Sequence, residues 1–244
     1  MSSLPTVILV HGAWHTPPNY KSYADALRIQ GFKVHCPHLP TCSGTSPPTA
    51  SLADDVAHVQ KIVQSTVEAG EHVLMIMHSY GGAVGTGAVE GLSLSERRAA
   101  GLAGSTIWEI VQEAGFDKLW DQYIDTAPDG STAIKDPGLG FFSGNADQAV
   151  IDKALRTLVR FPSSVFYEKT TGSAWQTVPT TYISTLKDYA VPKTYQDIML
   201  AKVRSQGAEV KVEEYDADHS LFITMQSDMV RTALKAAADE RNSI

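Results

Sequence analysis

Unbroken apolar runs alternate with amphipathic stretches along this chain. Thr6–Val10 (TVILV) and His72–Met77 (HVLMIM) are short runs bounded by turn residues, the pattern of parallel strands buried on both faces. Phe32–Cys36 (FKVHC), Thr180–Thr185 (TTYIST) and Glu209–Tyr215 (EVKVEEY) read as further strands. Between them, Asn19–Gln30 puts Tyr20, Tyr23, Ala24 and Leu27 on one helical face, and Gly31 stops it. Ser51 can cap a helix carrying Leu52, Val56, Val59, Ile62 and Val63, because its side-chain oxygen can accept a free amide of the first turn. A small-residue helix follows Gly81-Gly82, and Lys193–Ser205 and Leu221–Asp239 read as two more helices. This alternation predicts an α/β fold: a mainly parallel sheet covered by helices on both faces.

The rhythm breaks between Ser105 and Thr170. That stretch is rich in aromatics, including Trp108, Trp120, Phe141, Phe161 and Phe166, and has a turn centre at Ala127-Pro-Asp-Gly130. It is expected to be a helical lid, residues 105–170, inserted between core segments 1–104 and 171–244. Singly, such aromatics are ordinary core; as a group they can line an apolar pocket.

Composition narrows the function. At 244 residues one domain is the default. A net charge of −7 with no Lys/Arg stripe argues against a nucleic-acid partner. Only two cysteines, Cys36 and Cys42, argue against a disulfide framework and for a reducing compartment. The first residues lack a signal peptide's charged start and apolar stretch, and no run approaches the roughly 18 apolar residues of a membrane span. The expectation is a cytoplasmic protein with a small-molecule substrate and no membrane partner. His35, Cys36, His38 and Cys42 cluster in sequence, but their spacing matches no closed zinc pattern. They read as packing, so no metal is expected.

The chemistry concentrates at Ser79. It follows a buried strand and precedes Gly81-Gly82 and a helix, so a sharp turn would expose its hydroxyl above the sheet. The usual glycine two residues before such a serine is replaced by Met77. A serine needs a base within hydrogen-bond reach. The only later histidine is His219, in the loop Asp216-Ala-Asp-His-Ser220 beyond a strand. In the chain order nucleophile, acid, histidine, the acid falls beyond Thr180–Thr185, where Asp188 is the first carboxylate. Asp197 reads as helix surface, and Asp216 and Asp218 lie close in sequence to His219. The amides of Ala13 and Tyr80 are the candidate oxyanion donors. Gly12 lets the backbone approach a substrate, and Trp14, Trp108 and Trp120 are candidate pocket walls. His78 reads as part of the turn. Such a site supplies its own nucleophile, base and oxyanion hole, so no cofactor is expected.

The segments ILVHGAW, MHSYGGAV, DYAVP and DADHS, in this order, resemble the small α/β-hydrolases that include plant methylesterases and hydroxynitrile lyases, with fungal and bacterial esterase-like relatives. The resemblance runs over almost the whole chain. It implies the α/β-hydrolase fold, Ser79, Asp188 and His219 as the catalytic triad, and the Ala13 and Tyr80 amides as oxyanion donors. Hydroxynitrile lyases of this type carry a threonine where this chain has Gly12 and a lysine where it has Ser220. Hydrolysis of a small, fairly apolar ester, lactone or thioester is therefore expected over lyase or cyclase chemistry, with a catalytically weak ligand-binding homologue as a third reading. The resemblance also implies one more apolar strand between the helix after Ser79 and the lid. Here Arg97–Gly104 passes directly to Ser105–Val111. Either Thr106–Val111 serves as a makeshift strand, or the sheet is one central strand short.

Overall fold

Strand β1 (Thr6–Val10) is buried along its whole length. Its odd residues, Val7 and Leu9, join one core cluster, and its even residues, Ile8 and Val10, join another. This is the arrangement of a central strand with helices on both faces. The computed structural model describes residues 4–92, 104–143 and 146–241. β1 lies between β2 (Val34–His35) and β3 (Val73–Met77), both parallel to it. Helix α1 (Lys21–Ile29) contributes Tyr23, Ala24 and Leu27 to the first cluster, beside Phe222 and Val230. Helix α2 (Leu52–Glu68) contributes Leu52, Val59 and Val63 to the second. Ser51 caps α2 as expected, accepting the Asp54 amide. Helix α3 (Gly81–Ala88) packs Val84 and Ala88 against the same cluster.

The segment from 105 to 170 leaves and re-enters the core at one point. The Gly104 amide donates to the Thr170 carbonyl, and the Thr170 amide donates to the Ser105 carbonyl. Within it lie α4 (Ile107–Glu113), α5 (Trp120–Tyr123), β4 (Ile124–Thr126), β5 (Ser131–Ile134), α6 (Pro137–Phe141), α7 (Gln148–Leu155) and β6 (Phe161–Pro162). The segment expected to be a helical lid is thus not purely helical. β4, β5 and β6 form an antiparallel sheet, and the Ala127–Gly130 turn is the hairpin between its first two strands. Gly130 sits at φ 80°, where a side chain would be strained.

Beyond the lid, β7 (Thr180–Thr185) pairs in parallel with β8 (Val210–Tyr215). α8 (Lys193–Ser205) connects them, and α9 (Leu221–Thr224) and α10 (Gln226–Arg241) follow. The makeshift strand does not form. Thr106 and Glu109 make reciprocal 2.9 Å side-chain-to-amide bonds, a capping box that commits Ile107–Glu113 to a helix. Among the described residues, β3 pairs only with β1 and β7 only with β8. Among the described residues the sheet is therefore in two parts, β2-β1-β3 and β7-β8, and most of the stretch where the additional strand was expected, residues 97–103, lies outside the described residues. On β3, Val73–Ile76 are half-buried and Met77 is exposed, whereas β1 is wholly buried. A cavity of about 2570 Å³ is lined by Met75 and Met77 of β3, Ile183 of β7, and Ile110 and Val111 of α4. Among the described residues, no helix is long and apolar enough to cross a membrane.

Candidate active site

Ser79 stands where the strand-to-helix turn was expected. It takes φ 54° between β3 and α3, a conformation costing a non-glycine residue about 1–3 kcal/mol. Two glycines make the turn possible. A Cβ on Gly81 would lie 2.4 Å from the Val10 carbonyl oxygen and 2.8 Å from that of His11. A Cβ on Gly12 would lie 3.2 Å from Ser79 Cβ. The end of β1 and the turn therefore meet backbone to backbone. Met77, the departure from the usual glycine, is accommodated on its other side. Its Sδ occupies the space of a Cβ on Gly85 of α3, which would lie 2.2 Å away.

His219 and Asp188 come from the loops after β8 and β7. His219 Nδ1 lies 2.8 Å from Asp188 Oδ2, and both side chains are buried. Asp188 also accepts from the Ala190 amide (2.9 Å), the Val191 amide (2.7 Å) and the Thr185 hydroxyl (2.9 Å). Burial pushes its carboxyl up, but the charge and hydrogen bond of His219, with these donors, bring it net below the ordinary value. The carboxylate thus accepts a hydrogen bond from Nδ1–H, leaving the lone pair on Nε2. Gln196 of α8 holds the acid loop. Its amide oxygen accepts from the Thr185 amide and Ser184 hydroxyl, and its NH₂ donates to the Thr185 and Val191 carbonyls.

Ser79, His219, Asp188, Ala13, Trp14, Tyr80 and Trp120 all line the cavity. Among the described residues, no hydrogen bond joins Ser79 Oγ to His219, and neither the Ala13 nor the Tyr80 amide has a protein acceptor. The Tyr80 hydroxyl donates to buried Asp55 at 2.8 Å. Asp55 also accepts from the Thr41 amide and hydroxyl. Trp14 spans from the β1 loop to the lid: its indole N–H reaches the Thr132 carbonyl (3.1 Å), and its ring packs on Phe141, Phe161 and Phe166. Gly12 lies beneath the wall against His78, and Trp108 packs behind it on Trp120 and Tyr167.

Three histidines around the site are uncharged by geometry. His11 Nε2 accepts the Leu39 amide, and burial brings its pKa down to about 4. His15 Nδ1 donates to the Ala13 carbonyl, its Nε2 has no partner, and burial brings its pKa down to about 3. His78, packed among Tyr20, Phe222 and His219, is held well below the ordinary value by desolvation and by the neighbouring histidines. Of the early histidine–cysteine cluster, His38 Nε2 bonds the Cys42 carbonyl, and both cysteines are free thiols. Among the described residues, no group of His, Cys, Asp or Glu is arranged to hold a metal.

A family model described as "Alpha/beta hydrolase family" matches residues 7–233. Alpha/beta hydrolase nvfD of Aspergillus novofumigatus is 26% identical over 205 residues, covering 79% of this chain and 81% of that protein. Methylesterase 18 of Arabidopsis thaliana is 24% identical over a 256-residue alignment, covering 95% and 96%. Among solved structures, the methylesterase MES16 from Arabidopsis superposes with a TM-score of 0.71 at 16% identity, covering 96% of this chain and 99% of that one. At that identity the likeness is one of fold.

Proposed function

The chain belongs to the alpha/beta hydrolase family, and from that premise we propose that it hydrolyses a small, fairly apolar carboxylic ester, lactone or thioester through an acyl-enzyme on Ser79. The observation that carries this reading is Ser79 at φ 54° on the strand-to-helix turn, sharing one cavity with a His219–Asp188 pair joined at 2.8 Å. Esterase-type relatives support it, among them the methylesterases of Arabidopsis.

In this reaction Ser79 Oγ attacks the substrate carbonyl carbon as its proton passes to His219 Nε2. Asp188 stabilises the resulting imidazolium and holds its orientation. The carbonyl oxygen, now negative, sits between the Ala13 and Tyr80 amides. His219 then protonates the leaving alcohol or thiol, and water, deprotonated by His219, releases the acid. No cofactor enters any step. The unpaired thiols Cys36 and Cys42 support a reducing, cytoplasmic setting.

A fluorophosphonate probe should label Ser79, and the protein should hydrolyse p-nitrophenyl butyrate. A folded protein that does neither sinks the proposal. The missing Ser79–His219 bond favours one second reading, in which His219 acts as a base without an acyl-enzyme, as in a lyase or cyclase. There Ser79→Ala keeps its turnover of the true substrate and His219→Ala loses it.

A further inference from the structure

Tyr20 is wholly buried, and its hydroxyl has two partners on two different parts of the site. It lies 3.0 Å from the amide nitrogen of Gly12, in the loop that carries Ala13, and 2.7 Å from Nδ1 of His78, the residue before Ser79. On the far side of the same imidazole, His78 Nε2 lies 2.9 Å from the carbonyl oxygen of His219. These contacts have only one consistent set of directions. A carbonyl can only accept, so His78 Nε2 carries the proton and donates to His219. In a neutral ring Nδ1 then has the lone pair and accepts the Tyr20 hydroxyl proton. The Tyr20 oxygen, having donated, accepts from the Gly12 amide. The chain runs Gly12 N–H to Tyr20 O–H to His78 to the His219 carbonyl.

We infer that Tyr20 and His78 form a positioning relay that sets the oxyanion loop, the nucleophile turn and the base loop at fixed distances from one another. This rests on the hydrolytic reading of the site. Tyr20 acts through the Gly12 amide, and His78 acts through the His219 carbonyl and by packing on the His219 ring at 4.5 Å. Three features make the relay stiff. The Tyr20 ring stacks on Phe222 at 4.2 Å and 15°. The His78 ring lies edge-on to Phe222 and His15. Gly12 offers no Cβ, which would otherwise lie 3.0 Å from His78 Nδ1. Burial and the nearby histidines disfavour protonation of His78, and a protonated ring could not accept from Tyr20. The relay works only with the neutral, Nε2–H tautomer. It also offers a structural role for a histidine at a position where its bulk crowds the turn.

Tyr20→Phe keeps the ring and its stack on Phe222 but removes both hydrogen bonds. With p-nitrophenyl butyrate, kcat should fall about 10- to 100-fold, since misplacement of catalytic groups by about an ångström costs up to two orders of magnitude. KM should stay within twofold, and fluorophosphonate labelling of Ser79 should slow in proportion to kcat. Tyr20→Phe combined with His78→Asn should be no slower than the slower single variant, because both break one chain. The wild-type protein supplies an independent readout: ¹⁵N NMR of the His78 imidazole should show a neutral Nε2–H tautomer from pH 8 to 5.5. An Nδ1–H or charged His78 overturns the relay, as does a folded Tyr20→Phe with unchanged kcat. Absence of wild-type labelling and hydrolysis alongside the expected tautomer would instead sink the hydrolase reading and leave the relay's geometry standing.

Discussion

Acidification from pH 7 to 5.5 should weaken this fold through His11, His15 and His78. Each is neutral in the folded state for a geometric reason. His11 Nε2 must keep a lone pair for the Leu39 amide. His78 Nδ1 must keep one for Tyr20. His15 Nε2 is buried with no acceptor, and its ring contacts Phe141 and Phe222. Their folded pKa values lie below the ordinary 6.5, at about 4 for His11 and about 3 for His15. As pH falls through 6.5, the unfolded chain takes up these protons and the folded chain does not. Stability is therefore present above 6.5 and lost toward the folded values. The linkage integral between pH 7 and 5.5 is about 1.2 kcal/mol for each of His11 and His15, or about 2.5 kcal/mol for the two, and His78 adds in the same direction. That is a large share of the about 5–15 kcal/mol a domain has. Urea melts at constant ionic strength through this range, above the usual carboxylate titrations, read the slope directly. His15→Asn can keep a donor for the Ala13 carbonyl while removing one titration, and should take about 1.2 kcal/mol out of the change between pH 7 and 5.5. A stability that stays flat from pH 7 to 5.5, or a slope that His15→Asn leaves unchanged, refutes the argument.

The two glycines after Ser79 should behave oppositely. Gly81→Ala places a methyl 2.4 Å from a backbone carbonyl and should cost about 1–3 kcal/mol of stability and most of the activity. Gly82→Ala meets nothing within 4 Å and should raise Tm by about 1–4 °C through helix propensity alone; thermal melts of the two variants check the pair. Asp188→Asn should keep the fold but lower kcat by about three to four orders of magnitude, because the amide no longer fixes the Nδ1–H tautomer; steady-state kinetics with p-nitrophenyl butyrate measure it. The split sheet predicts an alternation in hydrogen exchange along β3. Bonds from Thr6 to the His72 carbonyl and from His78 to the Val10 carbonyl orient even-numbered residues toward β1. The Met75 and Met77 amides face the gap and should exchange at least tenfold faster than those of Leu74 and Ile76; equal protection would mean the gap is filled.

The legible parts of this chain are those fixed by local order. β1, β3, β7 and α8 are recognisable because each is a run of one character ended by glycine, proline or a turn. The lid's aromatics showed that the segment differs, but not its architecture. β4 and β5 are short, and their pairing is stabilised by contacts from distant lid segments, as when the Thr132 hydroxyl donates to the Phe161 carbonyl. A period-2 pattern over three or four residues is too short to distinguish from a helical turn. Of the two outcomes the sequence left open, the Thr106–Glu109 capping box excludes the makeshift strand at Thr106–Val111. Its Thr-x-x-Glu spacing is itself a sequence signal, and weighing it would have favoured the helix.

The site divides along the same line. Ser79, Asp188 and His219 follow the ends of strands, so chain order alone can propose them. The groups that hold them do not. Tyr20 lies on an amphipathic helical face where it reads as core, and Gln196 lies on α8 among residues that read as surface; each earns its place only through partners many residues away. Asp55 is a carboxylate inside the first turn of a capped helix, where charge is ordinary, yet it is fully buried under the hydroxyl of Tyr80. The common feature is a polar group in an otherwise apolar environment, and burial is what converts each from unremarkable to structural: once desolvated, it must find a partner or cost the fold. Tyr20 and Gln196 meet theirs on the backbone of the loops after β1 and β7, and Asp55 on the Thr41 amide and the Thr41 and Tyr80 hydroxyls. The hydrogen bonds of Tyr20, His78 and Gln196 are therefore the same ones that set the loops after β1, β3, β7 and β8 relative to one another, and they run between strand ends rather than across the sheet.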